Sequence, residues 1–233
     1  MTPVSPVSPE QCWGLLTGPG AEDPWLRQQW LSLWVAASNA GGAIDFAGPV
    51  TSAQVAPVLD AALAPIRAGR DLLITVTVPP PPPPHDDTGC EDTGRDDTGL
   101  VDPAGPRLVA TAVLAGNGSP LQQHWRTVTR VMVHSTWQGR GLGRQVMARA
   151  DDVAADLGLG QLRLGARSGL GLEDFYRRCG YVEIGRHVAA IRLGPGQDRD
   201  EILLVRTLPA APYPGRGATL GSGEIGSPHA RAH

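Results

Sequence analysis

Lysine is absent from this chain of 233 residues, all 20 of whose basic side chains are arginine. A Walker-type phosphate loop, which ends on Lys, is thereby disfavoured. The bias reads first as GC-rich coding and second as a supply of bidentate anion contacts. Cysteine is scarce as well, and Cys12, Cys90 and Cys179 have the spacing of neither a metal knuckle nor a disulfide framework, so no metal site is expected. A reducing cytoplasm is the compartment this implies. No stretch approaches the roughly 18 to 20 apolar residues that cross a bilayer. Met1 to Pro9 has neither the basic start nor the apolar run of a secretory signal, so no membrane role is expected.

What is abundant is Gly (30) and Pro (22), more than a compact fold carries, so part of the chain is expected outside the folded unit. The length suits one domain. The net charge of −3 is unevenly spread, because residues 85–100 hold six acids and one Arg. The remainder is near neutral, and nucleic acid is not an expected partner.

Residues 1–20 lack periodicity and read as a flexible arm, with Cys12, Trp13, Leu15 and Leu16 the side chains able to dock. Asp23 before Pro24 opens a helix whose buried face is Leu26, Trp30, Leu33, Trp34 and Ala37. Thr51 caps a second, in which Pro57 and Pro65 argue against a straight course. Leu72 to Val78 is a β-branched strand that stops at six prolines. The repeats Asp86-Asp87-Thr88-Gly89, Glu91-Asp92-Thr93-Gly94 and Asp96-Asp97-Thr98-Gly99 follow, and 79–106 reads as a disordered insertion without the spacing of a calcium loop. Strands are expected at Leu108 to Ala115 and Trp125 to Val133, a helix at Arg144 to Leu157 and a strand at Leu162 to Ala166. A short helix at Glu173 to Cys179 precedes closing strands at Tyr181 to Gly185, His187 to Leu193 and Glu201 to Leu208. Residues 209–233 read as a disordered tail.

The chemistry concentrates where the strand ending at Val133 turns through His134-Ser135-Thr136-Trp137 into Gln138-Gly139-Arg140-Gly141-Leu142-Gly143 and a helix. Unpaired N–H groups at a helix start, reached through glycines, suit a pyrophosphate. The spacing differs from that of a dinucleotide loop. Gln138, Gly141 and Gly143 resemble the acetyl-CoA loop of the GNAT superfamily of N-acetyltransferases, with Val131-Met132-Val133-His134 before it and Phe175-Tyr176-Arg177-Arg178-Cys179-Gly180-Tyr181 after it. The resemblance is strong over 107–208 and weaker over 22–78.

That resemblance implies one α+β domain over 21–208: a mixed, mostly antiparallel sheet with a splayed parallel strand pair and flanking helices. Acetyl-CoA would lie in the splay, with Val131, Met132 and Val133 along the pantetheine and Gly139, Arg140, Gly141, Leu142, Gly143 and Arg144 at the pyrophosphate. Gln138 belongs to the same loop. Members of the family often carry Asn at the position of Gly169 and Ala at that of Leu172, which leaves Ser168 as the corresponding cofactor contact.

Acetyl transfer needs a free amine, a polarised carbonyl and a proton for the departing thiolate. The Val133 N–H suits the second task and Tyr176 the third. For the base, Glu173, Glu183 and His134 stay open, and Glu173 stands with Tyr176 as a catalytic candidate, while His134 reads as shaping its loop. Cys179 lies on an apolar helix face and reads as packing, which favours direct transfer. The loop Asn39 to Phe46 and the connection Gly194 to Glu201 should wall the acceptor pocket, where Asp45, Asp198 and Asp200 could attract a cationic amine. The expected acceptor is a small-molecule amine, used by a monomer or homodimer. A protein acetyltransferase, a non-catalytic acyl-CoA-binding module and an unrelated nucleotide-binding protein are the competing readings.

Overall fold

The computed structural model describes residues 11–42, 44–80 and 105–209. Its first helix, α1 (Pro24–Asn39), starts where Asp23 accepts a hydrogen bond from the Trp25 N–H at 2.9 Å. Such a cap satisfies one of the partnerless donors of the first turn. The second, α2 (Ser52–Arg67), is held by a capping box between Thr51 and Gln54. It continues as one helix through Pro57 and Pro65. Pro57 faces solvent, so the carbonyl it deprives can hydrate, while Val55, Leu59, Leu63 and Ile66 are fully buried and hold the helix to the sheet.

Among the described residues, seven strands follow the order β1-β2-β3-β4-β5-β7-β6. They are β1 (Cys12–Leu16), β2 (Leu72–Val78), β3 (Arg107–Ala115), β4 (Trp125–Val133), β5 (Gln161–Arg167), β6 (Val182–Arg192) and β7 (Asp198–Thr207). Every pairing is antiparallel except β4 with β5, which the crossover helix α3 (Leu142–Asp156) connects. A last helix, α4 (Leu172–Arg178), follows β5. Among the described residues no helix is long and apolar enough to cross a membrane.

Two apolar layers flank the sheet. α1 and α2 cover one face, centred on Trp30 and Trp34, whose rings lie 5.8 Å apart. α3 and α4 cover the other, where Val146, Met147 and Ala150 meet Leu162, Leu164 and Tyr176.

The flexible-arm reading of residues 1–20 is corrected at β1, which pairs with β2 from Cys12↔Thr77 to Leu16↔Leu73. Backbone hydrogen bonds to a sheet edge hold it, with Trp13 and Leu15 largely exposed, so the sequence carries little periodic signal for it. Residues 1–10, most of the 79–106 insertion and the tail from 210 lie outside the described residues. The insertion's flanks are adjacent, since Val78 pairs with Arg107 at the end of the β2–β3 ladder. The two strands expected at Tyr181 to Gly185 and His187 to Leu193 are one strand, β6, with register shifts after Glu183 and His187 and a left-handed Ala189.

Candidate active site

The parallel pair opens almost as soon as it forms. β4 and β5 are in register only from Trp125↔Gln161 to Thr127↔Arg163. Beyond that point β4 carries a bulge against β3, between Thr111 and Val113, with Arg130 at φ 49. A bulge bends its strand, and β5 stays with β7 through Arg167↔Glu201, so a gap is left between β4 and β5.

Backbone groups edge that gap. His134 donates to Val109 O at 2.8 Å. In an alternating antiparallel ladder, Val133 therefore turns its N–H and C=O away from β3, toward the missing part of β5. The carbonyl accepts from Gln138 Nε2 at 3.0 Å, which ties the following loop to the strand end. His134 Nδ1 is engaged with Thr136 Oγ1 at 2.8 Å in the same turn, and burial followed by the charge of Arg107 lowers its pKa.

The loop reaches α3 through two left-handed glycines, Gly139 (φ 73) and Gly141 (φ 82), a conformation that strains any side chain. Gln145 N–H is bonded to Gly141 O, which leaves the N–H groups of Leu142, Gly143 and Arg144 without intrahelical partners. A Cβ at Gly143 would sit 3.3 Å from the Phe175 ring, so this glycine lets α4 approach the start of α3.

Loop, gap and α4 share a cavity of about 790 Å³. Tyr176 forms part of its wall, 9% exposed, its ring edge-on to Phe175 at 5.0 Å. Among the described residues its hydroxyl has no hydrogen-bond partner, and burial, with a smaller contribution from Cys179, pushes its pKa up to about 12. It is a protonated phenol at any physiological pH.

Residues 70–181 match the acetyltransferase (GNAT) family. Over that stretch, a little under half of the chain, the protein is similar to acetyltransferases of this family. Its fold is shared with the ribosomal-protein-S18-alanine N-acetyltransferase of Escherichia coli at a TM-score of 0.55, with 14% identity over 87% of this chain and 96% of that one. An acetyltransferase of the GNAT family from Streptococcus pneumoniae superimposes at 0.55, with 10% identity over 86% and 100%. A tRNA uridine(34) acetyltransferase of Methanocaldococcus jannaschii is 29% identical over 63 residues, which is 27% of this chain but only 12% of that protein.

Val131, Met132, Val133, Gln138, Gly139 and Gly141 line the cavity, as do Leu142, Gly143, Arg144 and Tyr176. Arg140, Ser168 and Glu173 do not. Arg140 is exposed and lies 5.3 Å from the Trp137 ring. The Ser168 hydroxyl accepts the Asp200 N–H at 3.0 Å, fastening the end of β5 to β7. Glu173 is in the first turn of α4, its Oε2 buried without a hydrogen-bond partner. Glu183 is ion-paired with Arg186 and Arg177, which lower its pKa, and it too is outside the cavity. Asp198 is bound to Arg192 and Asp200 to the Ala189 N–H, whereas Asp45 reaches the cavity wall. Burial raises the Cys179 pKa, and its thiol stays out of the cavity.

Arg130 and Arg167 line the cavity without having been anticipated, and Glu201 does so at the end of the connection expected to wall the acceptor pocket. A Cβ at Gly165 would overlap the Glu201 carboxylate, so this glycine gives that side chain its place over β5. Sequence holds no motif for them, because strand register and a bulge bring them together.

Proposed function

We propose that this protein transfers an acetyl group from acetyl-CoA to a primary amine of a small molecule by direct attack in a ternary complex. One observation carries the reading: the partnerless N–H groups at the start of α3, the inward N–H of Val133 and the Tyr176 hydroxyl all open on one cavity. The donor fits these residues. Leu142, Gly143 and Arg144 can hold its diphosphate through backbone N–H groups, with the Arg144 guanidinium adding charge. Val131 and Val133 can pair with the amide groups of its pantetheine as an added strand.

When bound, acetyl-CoA supplies an activated acyl carbonyl and a thiol leaving group. The Val133 N–H, turned away from β3, would stabilise charge developing on that carbonyl. Tyr176 Oη holds the proton that the departing sulfur takes. Glu201, which lines the cavity where Glu173 does not, takes the place of Glu173 as the proposed base and receives the proton that the amine loses. The half-buried Cys179, whose pKa burial raises, supports transfer without a covalent enzyme intermediate.

The test is calorimetric titration with acetyl-CoA of the wild type and of Gly141→Asp. Micromolar binding lost in the variant supports the reading. A folded wild type that binds no acetyl-CoA overturns it, and binding without turnover of any amine or peptide supports a non-catalytic acyl-CoA module instead.

A further inference from the structure

The acceptor side of the cleft has its own charge pattern, set by which face of the sheet each side chain occupies. Val128 packs in the α3/α4 layer. Simple alternation would place Arg130 there too, but the bulge with its left-handed φ turns this residue to the opposite face. There its guanidinium carbon lies 5.3 Å from the centroid of the Trp34 ring. Along β5, Leu162, Leu164 and Ala166 belong to the α3/α4 layer, so Gly165 and Arg167 face the same way as Arg130. Glu201, paired in register with Arg167 and lying over Gly165, shares that face.

These charges are not spent on one another. Arg167 and Glu201 are cross-strand partners, yet among the described residues no ion pair within 4.0 Å joins them, and Arg167 has no carboxylate partner at all. Arg130 reaches Asp45 only at 3.8 Å and Thr129 Oγ1 only at 3.5 Å, and its Nε is buried without a partner. Arg199 packs against the Gly169 turn, 3.4 Å from where a Cβ would sit. Burial, and then the neighbouring charge of Arg199, lowers the Arg167 pKa, the signature of guanidinium groups lacking an anion. Half-buried guanidinium groups with open donors bind carboxylates and phosphates through charge-assisted hydrogen bonds.

We infer that the acceptor is zwitterionic, an amine that also carries an anionic group, with Arg130 and Arg167 holding the anion while the amine faces Glu201. The inference rests on the acetyltransferase reading above and names its substrate class. A simple polyamine would bring only positive charge to a wall already bearing Arg167, without a carboxylate partner among the described residues, and Arg130, paired only at 3.8 Å with Asp45. A zwitterion matches both signs.

The probes are glycine, β-alanine and γ-aminobutyrate, each against its carboxamide, and O-phosphoethanolamine against ethanolamine. Each is titrated calorimetrically into enzyme saturated with CoA, then assayed for acetylation with acetyl-CoA. At least one anionic form should bind and turn over about tenfold or more better than its neutral counterpart, the higher-affinity pair telling carboxylate from phosphate. Arg167→Gln should collapse that ratio through KM while acetyl-CoA affinity, read in the same titrations, stays within about twofold. Arg130→Gln is the second variant, with the same expectation. Equal or better binding of the neutral forms, no binding by any anionic probe, or an unchanged ratio in a folded Arg167→Gln overturns the inference. If acetyl-CoA still binds in those cases, the acetyltransferase reading stands. If it does not bind the wild type, that reading has failed first.

Discussion

The two faces of the sheet at the β4–β5 gap are built from different materials. On the α3/α4 face and in the gap itself, the groups proposed to meet the donor are mostly main chain: the N–H of Val133, the start of α3 and two left-handed glycines, with Tyr176 and Arg144 as the side chains. On the α1/α2 face the polar groups are side chains, Arg130, Arg167, Glu201 and Asp45, delivered by a bulge, a register and a loop. A backbone-built site is insensitive to most substitutions and reads the same chemistry in any sequence that can form it. A side-chain-built site can be changed one residue at a time, so donor and acceptor specificity are separable within one cavity.

The largest break in that comparison is Gly141→Asp. A left-handed conformation forced on a non-glycine residue costs about 1–3 kcal/mol, and a carboxylate beside a diphosphate adds like-charge repulsion. Acetyl-CoA affinity should fall about 1000-fold in titration calorimetry, while the strain lowers the thermal transition by only several degrees and leaves the protein folded. An affinity within about tenfold of wild type would mean the diphosphate lies elsewhere.

Tyr176→Phe removes the side-chain chemistry on the donor side and nothing else, because the ring keeps its contact with Phe175. The expected result is about a 100-fold lower kcat with acetyl-CoA affinity unchanged. Because burial holds the wild-type hydroxyl at a pKa of about 12, the rate should show no basic limb from this group below pH 10 to 11, roughly. A fall in kcat between pH 8 and 10 that vanishes in the variant would contradict this.

On the other face, Glu201→Gln keeps the shape and removes the proposed base. Water can take over part of the proton transfer, so the expected loss in kcat is about tenfold, again with acetyl-CoA affinity intact. Gly165→Ala sharpens the point, since the new methyl displaces the Glu201 carboxylate and should mimic the Gln variant in part without touching any charge. If Gly165→Ala is inactive while Glu201→Gln is not, the glycine serves the backbone rather than the carboxylate.

The same difference in material decides what could be seen beforehand. The donor side was legible because its parts are contiguous, from Val131 to Arg144, and because Phe175 and Tyr176 mark α4. The acceptor side was legible only in outline, through the 39–46 loop and the connection ending at Glu201. Arg130 faces Trp34 only because a bulge interrupts alternation, and Glu201 meets Arg167 only through β5–β7 register. Ser168 was assigned to the donor, and its hydroxyl instead holds the Asp200 N–H. Strand β1 escaped for a related reason, being held by main-chain bonds to an edge rather than by a buried stripe.

A final contrast concerns charges that are paired. Beneath the donor face Asp151 Oδ2 meets Arg206 Nε at 2.8 Å, linking α3 to β7, whereas Arg167 and Glu201 on the other face stay apart. Burial outweighs Arg206 and raises the Asp151 pKa to about 6, against an ordinary 3.8. The folded state therefore binds this proton more tightly than the unfolded chain does. Its stabilising contribution is full below pH 3.8 and is lost as pH rises through about 6. Asp151→Asn cannot titrate, so whatever its constant offset, wild-type stability relative to the variant should decline by about 1 kcal/mol between pH 4 and 7.5, a figure reduced for partial exposure. Urea unfolding of both proteins across that range measures it. A relative rise would show that Arg206 dominates, and that this pair secures the fold at neutral pH while its counterparts across the sheet are kept open for a ligand.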